Sequence, residues 1–206
     1  MDTERAKIIG ISRHRLSTDG GGVTTLVAFH KCPLRCRYCL NPLSLSDGKR
    51  FRSYSPEELY KETRIDELYF LATNGGITFG GGEPCLRPQF IYKFRELCGN
   101  GWQINLETSL NVPIANIRYL LPIVNMLIID IKDMNPEIYN NYTGKSNNLV
   151  IENLKLITKL NRQNNCIIRL PLIPKFNVDA DRIASRAALE TLGFTNFDLF
   201  TYIIRK

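Results

Sequence analysis

Met126-Leu-Ile-Ile-Asp-Ile-Lys132 is an almost unbroken apolar, β-branched run that ends on two charges. A strand of that composition is covered on both faces, the habit of a parallel sheet flanked by helices. Working outward, similar runs predict strands over residues 23–29, 76–79, 103–107, 126–131, 167–171 and 198–203. Amphipathic stretches between them predict helices over 55–71, 88–98, 114–121, 149–160 and 179–192. The first helix has the clearest start, with Ser55 as cap, Pro56 in the first turn, and Glu57 and Glu58 against the helix dipole. Strand-then-helix alternation means parallel pairing through right-handed crossovers. An α/β doubly wound open sheet and an incomplete barrel both satisfy it, and in either case function gathers at the C-terminal ends of the strands. Residues 8–15 are expected to add a short strand or hairpin.

The chain has 206 residues, 44% hydrophobic and 23% charged, which suits one domain over residues 1–206, with 1–22 as an N-terminal extension. No apolar run approaches the ~20 residues needed to cross a bilayer. The charged start Met1-Asp-Thr-Glu-Arg-Ala-Lys is not followed by an apolar segment, so a cytoplasmic, reducing setting is expected. The net charge of +7, and the basic-aromatic stretch Lys49-Arg-Phe-Arg52, raise nucleic acid as a partner. The other basic residues are scattered, which favours a solvated surface, and a cationic face equally attracts an acidic electron donor or an anionic substrate.

Directly after the first strand stands Lys31-Cys-Pro-Leu-Arg-Cys-Arg-Tyr-Cys-Leu-Asn41, a Cys-x3-Cys-x2-Cys run. A cubane iron–sulfur cluster is held by four Cys thiolates, so three on one loop leave an iron open to an outside molecule. A structural zinc site is the competing reading, with His30 or His14 completing it, but zinc prefers paired Cys-x2-Cys spacing. Disulfides among the six cysteines are the third reading. Cys85, Cys98 and Cys166 are too dispersed for a second cluster and read as buried apolar thiols, Cys85 being the one nearest the expected pocket.

More polar motifs fall at the strand ends. Thr78-Phe-Gly-Gly-Gly-Glu-Pro-Cys85 removes every Cβ at Gly80, Gly81 and Gly82, so that a ligand can lie against backbone while Glu83 accepts from an ammonium group. Glu107-Thr-Ser109 follows the third strand. Strand alternation directs Asp130 and Lys132 to one face, an arrangement that suits a zwitterion or a structural salt bridge. Arg169 adds a cation, or an interior ion pair, on the fifth strand.

Taken together these motifs resemble the radical S-adenosylmethionine superfamily, whose Cys-x3-Cys-x-aromatic-Cys pattern Tyr38 completes and whose Gly-Gly-Glu-Pro stretch is Gly81-Gly-Glu-Pro84. Within it the chain is most similar to the glycyl-radical-enzyme activases. The segments that carry this are Thr18-Asp-Gly-Gly-Gly22, Cys39-Leu-Asn41, Gly76 through Pro84, Asp130-Ile-Lys132, Tyr142-Thr-Gly-Lys-Ser-Asn147 with Glu152-Asn153, and Ile168-Arg-Leu-Pro-Leu-Ile-Pro174.

The resemblance implies a partial (β/α)6 TIM-type barrel over residues 23–206. Cys32, Cys36 and Cys39 would bind a [4Fe-4S] cluster, whose remaining iron chelates S-adenosyl-L-methionine. Backbone at residues 81–83 would hold the amino group of that molecule, with Tyr38 by the adenine. Glu107, Thr108, Asp130, Lys132 and Arg169 would line the pocket, Glu107 and Thr108 at a family Asp-Thr pair that in some activases binds a monovalent cation. A reduced cluster would cleave the sulfonium, and the 5′-deoxyadenosyl radical would take a glycine Cα hydrogen from a glycyl radical enzyme. A flavodoxin or ferredoxin would donate the electron. The alternatives are a radical enzyme acting on a small molecule or ribosomal peptide, and a metal-dependent nucleic-acid-binding module. Three positions depart from the activase pattern: Ile203 where a His is usual, Lys175 where a Gly is usual, and Glu107 for Asp.

Overall fold

A computed structural model describes residues 5–16, 18–48 and 50–203. Lys49 of the basic-aromatic stretch, Ile204 and the first four residues lie outside the described residues. The elements run β1 (Ala6–Arg15), β2 (Thr24–Phe29), β3 (Arg52–Tyr54), α1 (Pro56–Thr63), α2 (Glu67–Thr73), β4 (Gly76–Gly81), α3 (Pro88–Cys98) and β5 (Gln103–Thr108). They continue with α4 (Ile114–Leu120), β6 (Met126–Asp130), α5 (Pro136–Thr143), α6 (Asn148–Lys159), β7 (Cys166–Leu172), α7 (Asp179–Thr191) and β8 (Phe197–Thr201).

Among the described residues the eight strands form one sheet in the order β3-β1-β2-β4-β5-β6-β7-β8. From β2 to β8 every pairing is parallel, and β1 pairs antiparallel with both β2 and β3. The sheet is therefore mostly rather than wholly parallel, and β3 and β8 do not meet to close it. That is the expected incomplete barrel, extended by an antiparallel pair that the apolar pattern of residues 8–15 announces only in part.

The helices cover the outer face. Phe79 on β4 meets Phe29, at 5.5 Å, and Phe94, at 5.3 Å, edge to face, and Phe70 stands 4.9 Å from Trp102. Burying an aromatic or aliphatic side chain of this size stabilises the fold by roughly 1.5–3 kcal/mol. The opposite face of the same strands is polar. Thr78 and Asn105, paired neighbours on β4 and β5, both donate to the Asp19 carbonyl, at 2.5 and 3.1 Å. The Thr18–Gly22 segment thus crosses the inner face of the sheet and floors the interior.

The expected single helix over 55–71 is broken. Ser55 caps α1 with a reciprocal box, Glu58 N donating to Ser55 Oγ and Ser55 N to Glu58 Oε2. At Arg64–Asp66 the chain tightens into a 3-10 turn before α2 begins. The turn drives the Asp66 carboxylate inside, where it accepts from Arg13 on β1 and Thr25 on β2. Among the described residues no helix is long and apolar enough to cross a membrane.

Candidate active site

The cysteine loop leaves β2 through Lys31, whose φ of +77° turns the chain sharply. Lys31 N donates to Ser44 O and its carbonyl accepts from Glu83 N, both at 2.8 Å. This contact explains the glycines. A Cβ on Gly82 would lie 2.2 Å from Lys31 O, and one on Gly81, which has φ of +87°, would lie 2.6 Å from the Ala28 Cβ. One on Gly80 would meet Glu107 Oε2 at 2.6 Å. On the Cβ side each glycine is closed by protein: Gly82 lets the cysteine loop dock on β4, Gly81 lies against β2, and Gly80 makes room for Glu107.

The far side of the loop rests on α5. Arg35 N donates to Thr143 O at 2.9 Å and Arg37 N to Tyr142 O at 3.1 Å, which satisfies carbonyls that a helix C-terminus leaves without partners. Tyr142 Oη adds a 3.4 Å bond to Tyr38 O, and Asn41 Nδ2 donates to Gly81 O at 3.1 Å. The Tyr142-Thr-Gly motif and Asn41 are thus parts of the scaffold of the loop. Helix α5 escapes a search for apolar periodicity because it carries two Asn and two Tyr. Its signal is the Asn135-Pro-Glu start, in which Asn135 Oδ1 accepts from Glu137 N and Ile138 N.

Cys32, Cys36 and Cys39 all line one cavity of about 470 Å³. Burial pushes the Cys32 thiol up to about 12, with the Glu83 charge adding to it. Burial also pushes Cys36 up to about 11, against the pull of Lys132. All six cysteines are free, which sets the disulfide reading aside. Among the described residues no three His, Cys, Asp or Glu side chains converge as ligands of a single ion. A cubane asks each thiolate to meet a different iron, whereas zinc draws all its sulfurs to within ≈ 2.3 Å of one centre. Neither histidine reaches the loop. His30 Nε2 bonds Ser46 O at 2.8 Å with its ring against Phe51, and His14 Nε2 bonds Asp66 at 3.1 Å.

Across the cavity stand Asp130, Lys132, Glu107, Arg169, Arg15 and Asp19. Lys132 is 8% exposed, and its Nζ donates to Asp130 Oδ2 at 2.5 Å and to Tyr202 Oη at 2.8 Å. Burial alone would lower this ammonium. The charges of Asp130, Tyr202 and Cys36 outweigh it and raise it well above the ordinary lysine value. Asp130 Oδ1 is buried without a hydrogen-bond partner. Glu107 is raised by burial in spite of Arg169, whose Nη1 lies 2.7 Å from Glu107 Oε1. Arg169 also reaches Thr18 O and, at 3.3 Å, Asp198. Arg15 pairs with the buried carboxylate of Asp19.

Most of the residues singled out from the sequence therefore meet: Cys32, Cys36, Tyr38, Cys39, Gly81, Gly82, Glu107, Thr108, Asp130, Lys132 and Arg169 share the cavity. Gly80 and Glu83 do not face it. Glu83 is 1% exposed and its carboxylate accepts from Cys85 N, Thr108 Oγ1, Ser109 N and Ser109 Oγ. It ties the end of β4 to the end of β5, so its side chain is not available to an ammonium group. The cavity also holds Asp19, Asn41 and Ser109, which the sequence motifs contain without indicating a role, and Arg15 and Tyr202, which no motif marks. Tyr202 adjoins Ile203, the position that drew attention as a departure, yet Ile203 is 83% exposed and Tyr202 only 6%.

The sequence pattern of the Radical SAM superfamily matches residues 26–187. This chain belongs to that superfamily. Radical SAM enzymes, this one included, use a [4Fe-4S] cluster and S-adenosylmethionine. The chain is 41% identical over 137 residues to the (2S)-3-sulfopropanediol dehydratase activating enzyme of Klebsiella oxytoca, covering 66% of this chain and 43% of that one. It is 35% identical over 130 residues to the pyruvate formate-lyase-activating enzyme of Clostridium pasteurianum, covering 62% and 53%. The chain thus spans about half the length of these relatives. Among solved structures, Streptococcus suis SuiB bound to S-adenosylmethionine superposes with a TM-score of 0.66 at 12% identity, over 88% of this chain and 43% of that one. The anSMEcpe enzyme with bound AdoMet gives 0.59 at 20% identity, over 83% and 49%. These likenesses concern the fold.

The cavity offers groups suited to both cofactors. Three thiols line it, and the partly exposed Asp130 carboxylate beside the Lys132 ammonium gives an acceptor and a donor for an amino acid moiety.

Proposed function

We propose that this radical SAM chain activates a glycyl radical enzyme, abstracting a hydrogen atom from a glycine Cα of a large partner. Cys32, Cys36 and Cys39 hold the cluster. When bound, the cluster and S-adenosylmethionine supply a 5′-deoxyadenosyl radical. The protein's own part is to orient and dry that chemistry. Backbone at Gly81 and Gly82 and the Asp130–Lys132 pair hold the amino acid end of the cofactor, and Tyr38 packs by its adenine. The Glu107–Arg169 and Arg15–Asp19 pairs keep the interior charge-balanced. The unclosed sheet leaves a side through which an extended peptide loop can enter.

The observation that carries this reading is the sharing of one cavity by the three thiols and the Asp130–Lys132 pair. The similarity to two activating enzymes supports the choice of substrate class. The electron donor is read as an acidic protein such as a flavodoxin or ferredoxin. Exposed Arg35, Arg37 and Lys145 ring the cysteine loop, the first two on the loop itself and the third beside the α5 terminus that holds it.

The test is anaerobic reconstitution with iron and sulfide, reduction, and assay for 5′-deoxyadenosine. Adding a glycyl radical enzyme is expected to give a stable glycyl radical by electron paramagnetic resonance. Formation of 5′-deoxyadenosine that no glycyl radical enzyme ever couples to a protein radical would reject the substrate class while leaving the cofactor chemistry in place.

A further inference from the structure

An ammonium group has three N–H donors. In Lys132 two are engaged, by Asp130 Oδ2 at 2.5 Å and by Tyr202 Oη at 2.8 Å, and the third remains for a ligand in the cavity that Lys132 lines. Tetrahedral geometry makes the direction of that third N–H a function of the other two. The ammonium rotates only about its Cε–Nζ bond, and two acceptors, Asp130 and Tyr202, hold both that rotation and the position of the nitrogen more firmly than Asp130 alone.

Tyr202 is itself held firmly. Its backbone N donates to Leu172 O at 2.9 Å, which registers the segment after β8 against β7. Its ring belongs to a small aromatic group apart from the main core, with Tyr142 at 6.3 Å and Phe200 at 5.5 Å, over Ile173. Tyr142 and Phe176 of the same group contact Tyr38 on the cysteine loop, and Cys36 packs against the group. One aromatic cluster therefore sets both the loop that carries the thiols and the phenol that aims the lysine.

We propose that Tyr202 is a positioning residue of the cofactor pocket: its hydroxyl accepts from Lys132 and, with Asp130, aims the remaining N–H of that ammonium at an oxygen of bound S-adenosylmethionine. The inference rests on the cofactor placement given above and deepens it.

The test is equilibrium binding of S-adenosylmethionine to the anaerobically reconstituted protein, with iron and sulfide content and thermal melting measured in parallel. Tyr202→Phe keeps the ring and removes only the hydroxyl. It is expected to leave iron content unchanged, to lower the melting temperature by no more than a few degrees, and to weaken binding about five- to tenfold. Lys132→Met is expected to weaken it about ten- to hundredfold. In the double variant the Tyr202 effect disappears, because it acts only through Lys132; a merely structural role would add instead. Binding by Tyr202→Phe equal to wild type, or full additivity in the double variant, overturns the inference alone. A wild-type protein that takes up neither iron nor S-adenosylmethionine overturns the cofactor reading, and this inference with it.

Discussion

Asp66 and Asp130 are both carboxylates drawn in from the ends of their elements to meet basic side chains, and they differ in what remains uncommitted. Asp66 is fully buried, and its two oxygens accept from Arg13, Thr25 and His14, leaving neither free. Asp130 gives one oxygen to Lys132 and keeps the other buried without a partner, while its side chain, 30% exposed, lines a cavity. On the function proposed above, a saturated charge network joins parts of this protein, and one with capacity to spare meets the ligand. The same distinction separates Glu83, saturated by four donors, from Lys132, with one donor to spare. On that proposal it separates structural charges from those assigned to the ligand better than motif membership does, since Glu83 belongs to the most recognisable motif of the chain.

The sharpest break is at the thiols. Replacing Cys36 by Ala is expected to abolish both iron incorporation and 5′-deoxyadenosine, and survival of either would refute the ligand assignment.

Asp66→Asn should do the reverse, lowering stability by about 2 kcal/mol, as for hydrogen bonds to a charged group, while the folded protein still binds cofactor. Burial alone would raise the Asp66 carboxyl, but the hydrogen bonds from Arg13 and Thr25 outweigh it and hold it below the usual carboxylate range. Stability from this group is therefore present at neutral pH and lost as pH falls through its lowered value. Denaturation curves followed below about pH 4 should fall less steeply for Asp66→Asn than for wild type, and equal slopes would remove the carboxylate from that role.

Gly82→Ala forces a Cβ against the Lys31 carbonyl. A cost of about 1–3 kcal/mol is expected for such overpacking, with reduced iron uptake, since the atom displaced belongs to the cysteine loop. Unchanged iron content in a destabilised variant would show that the glycine serves β4 alone.

The smallest effect is at the rim. Arg37→Glu with Lys145→Glu should slow reduction by an acidic donor a few-fold at low salt, with the difference vanishing at high salt. A salt-independent difference would point to damage in the loop.

Much of this was legible in advance. The strands β6 and β7 are near-continuous apolar runs, β4 and β5 alternate apolar with polar or glycine positions, and the period of two is enough to bring Asp130 and Lys132 to one face. The cysteine spacing marked the loop without further help. The losses came where non-local packing decides. The break at Asp66 answers to Arg13 and Thr25, which no local pattern connects to it. Helix α5 is recognisable from its cap but not from its composition, because its buried residues are polar-tipped, Tyr139 in the main core and Tyr142 in the aromatic cluster beside the cysteine loop. Tyr202 and Ile203 are adjacent and point to opposite sides, so comparison with the family pattern drew attention to the exposed one.

The Tyr142 to Tyr38 contact spans 104 residues of sequence. At translation rates of ~5–20 residues per second, the loop bearing the thiols leaves the ribosome roughly 5–20 s before the helix end that shapes it. Through that interval the three thiols stand exposed to oxidants and stray metals, and the machinery that delivers iron and sulfide has no finished socket to fill. On the ligand assignment proposed above, insertion of the cluster would wait for the docking of that helix and not for the synthesis of the ligands.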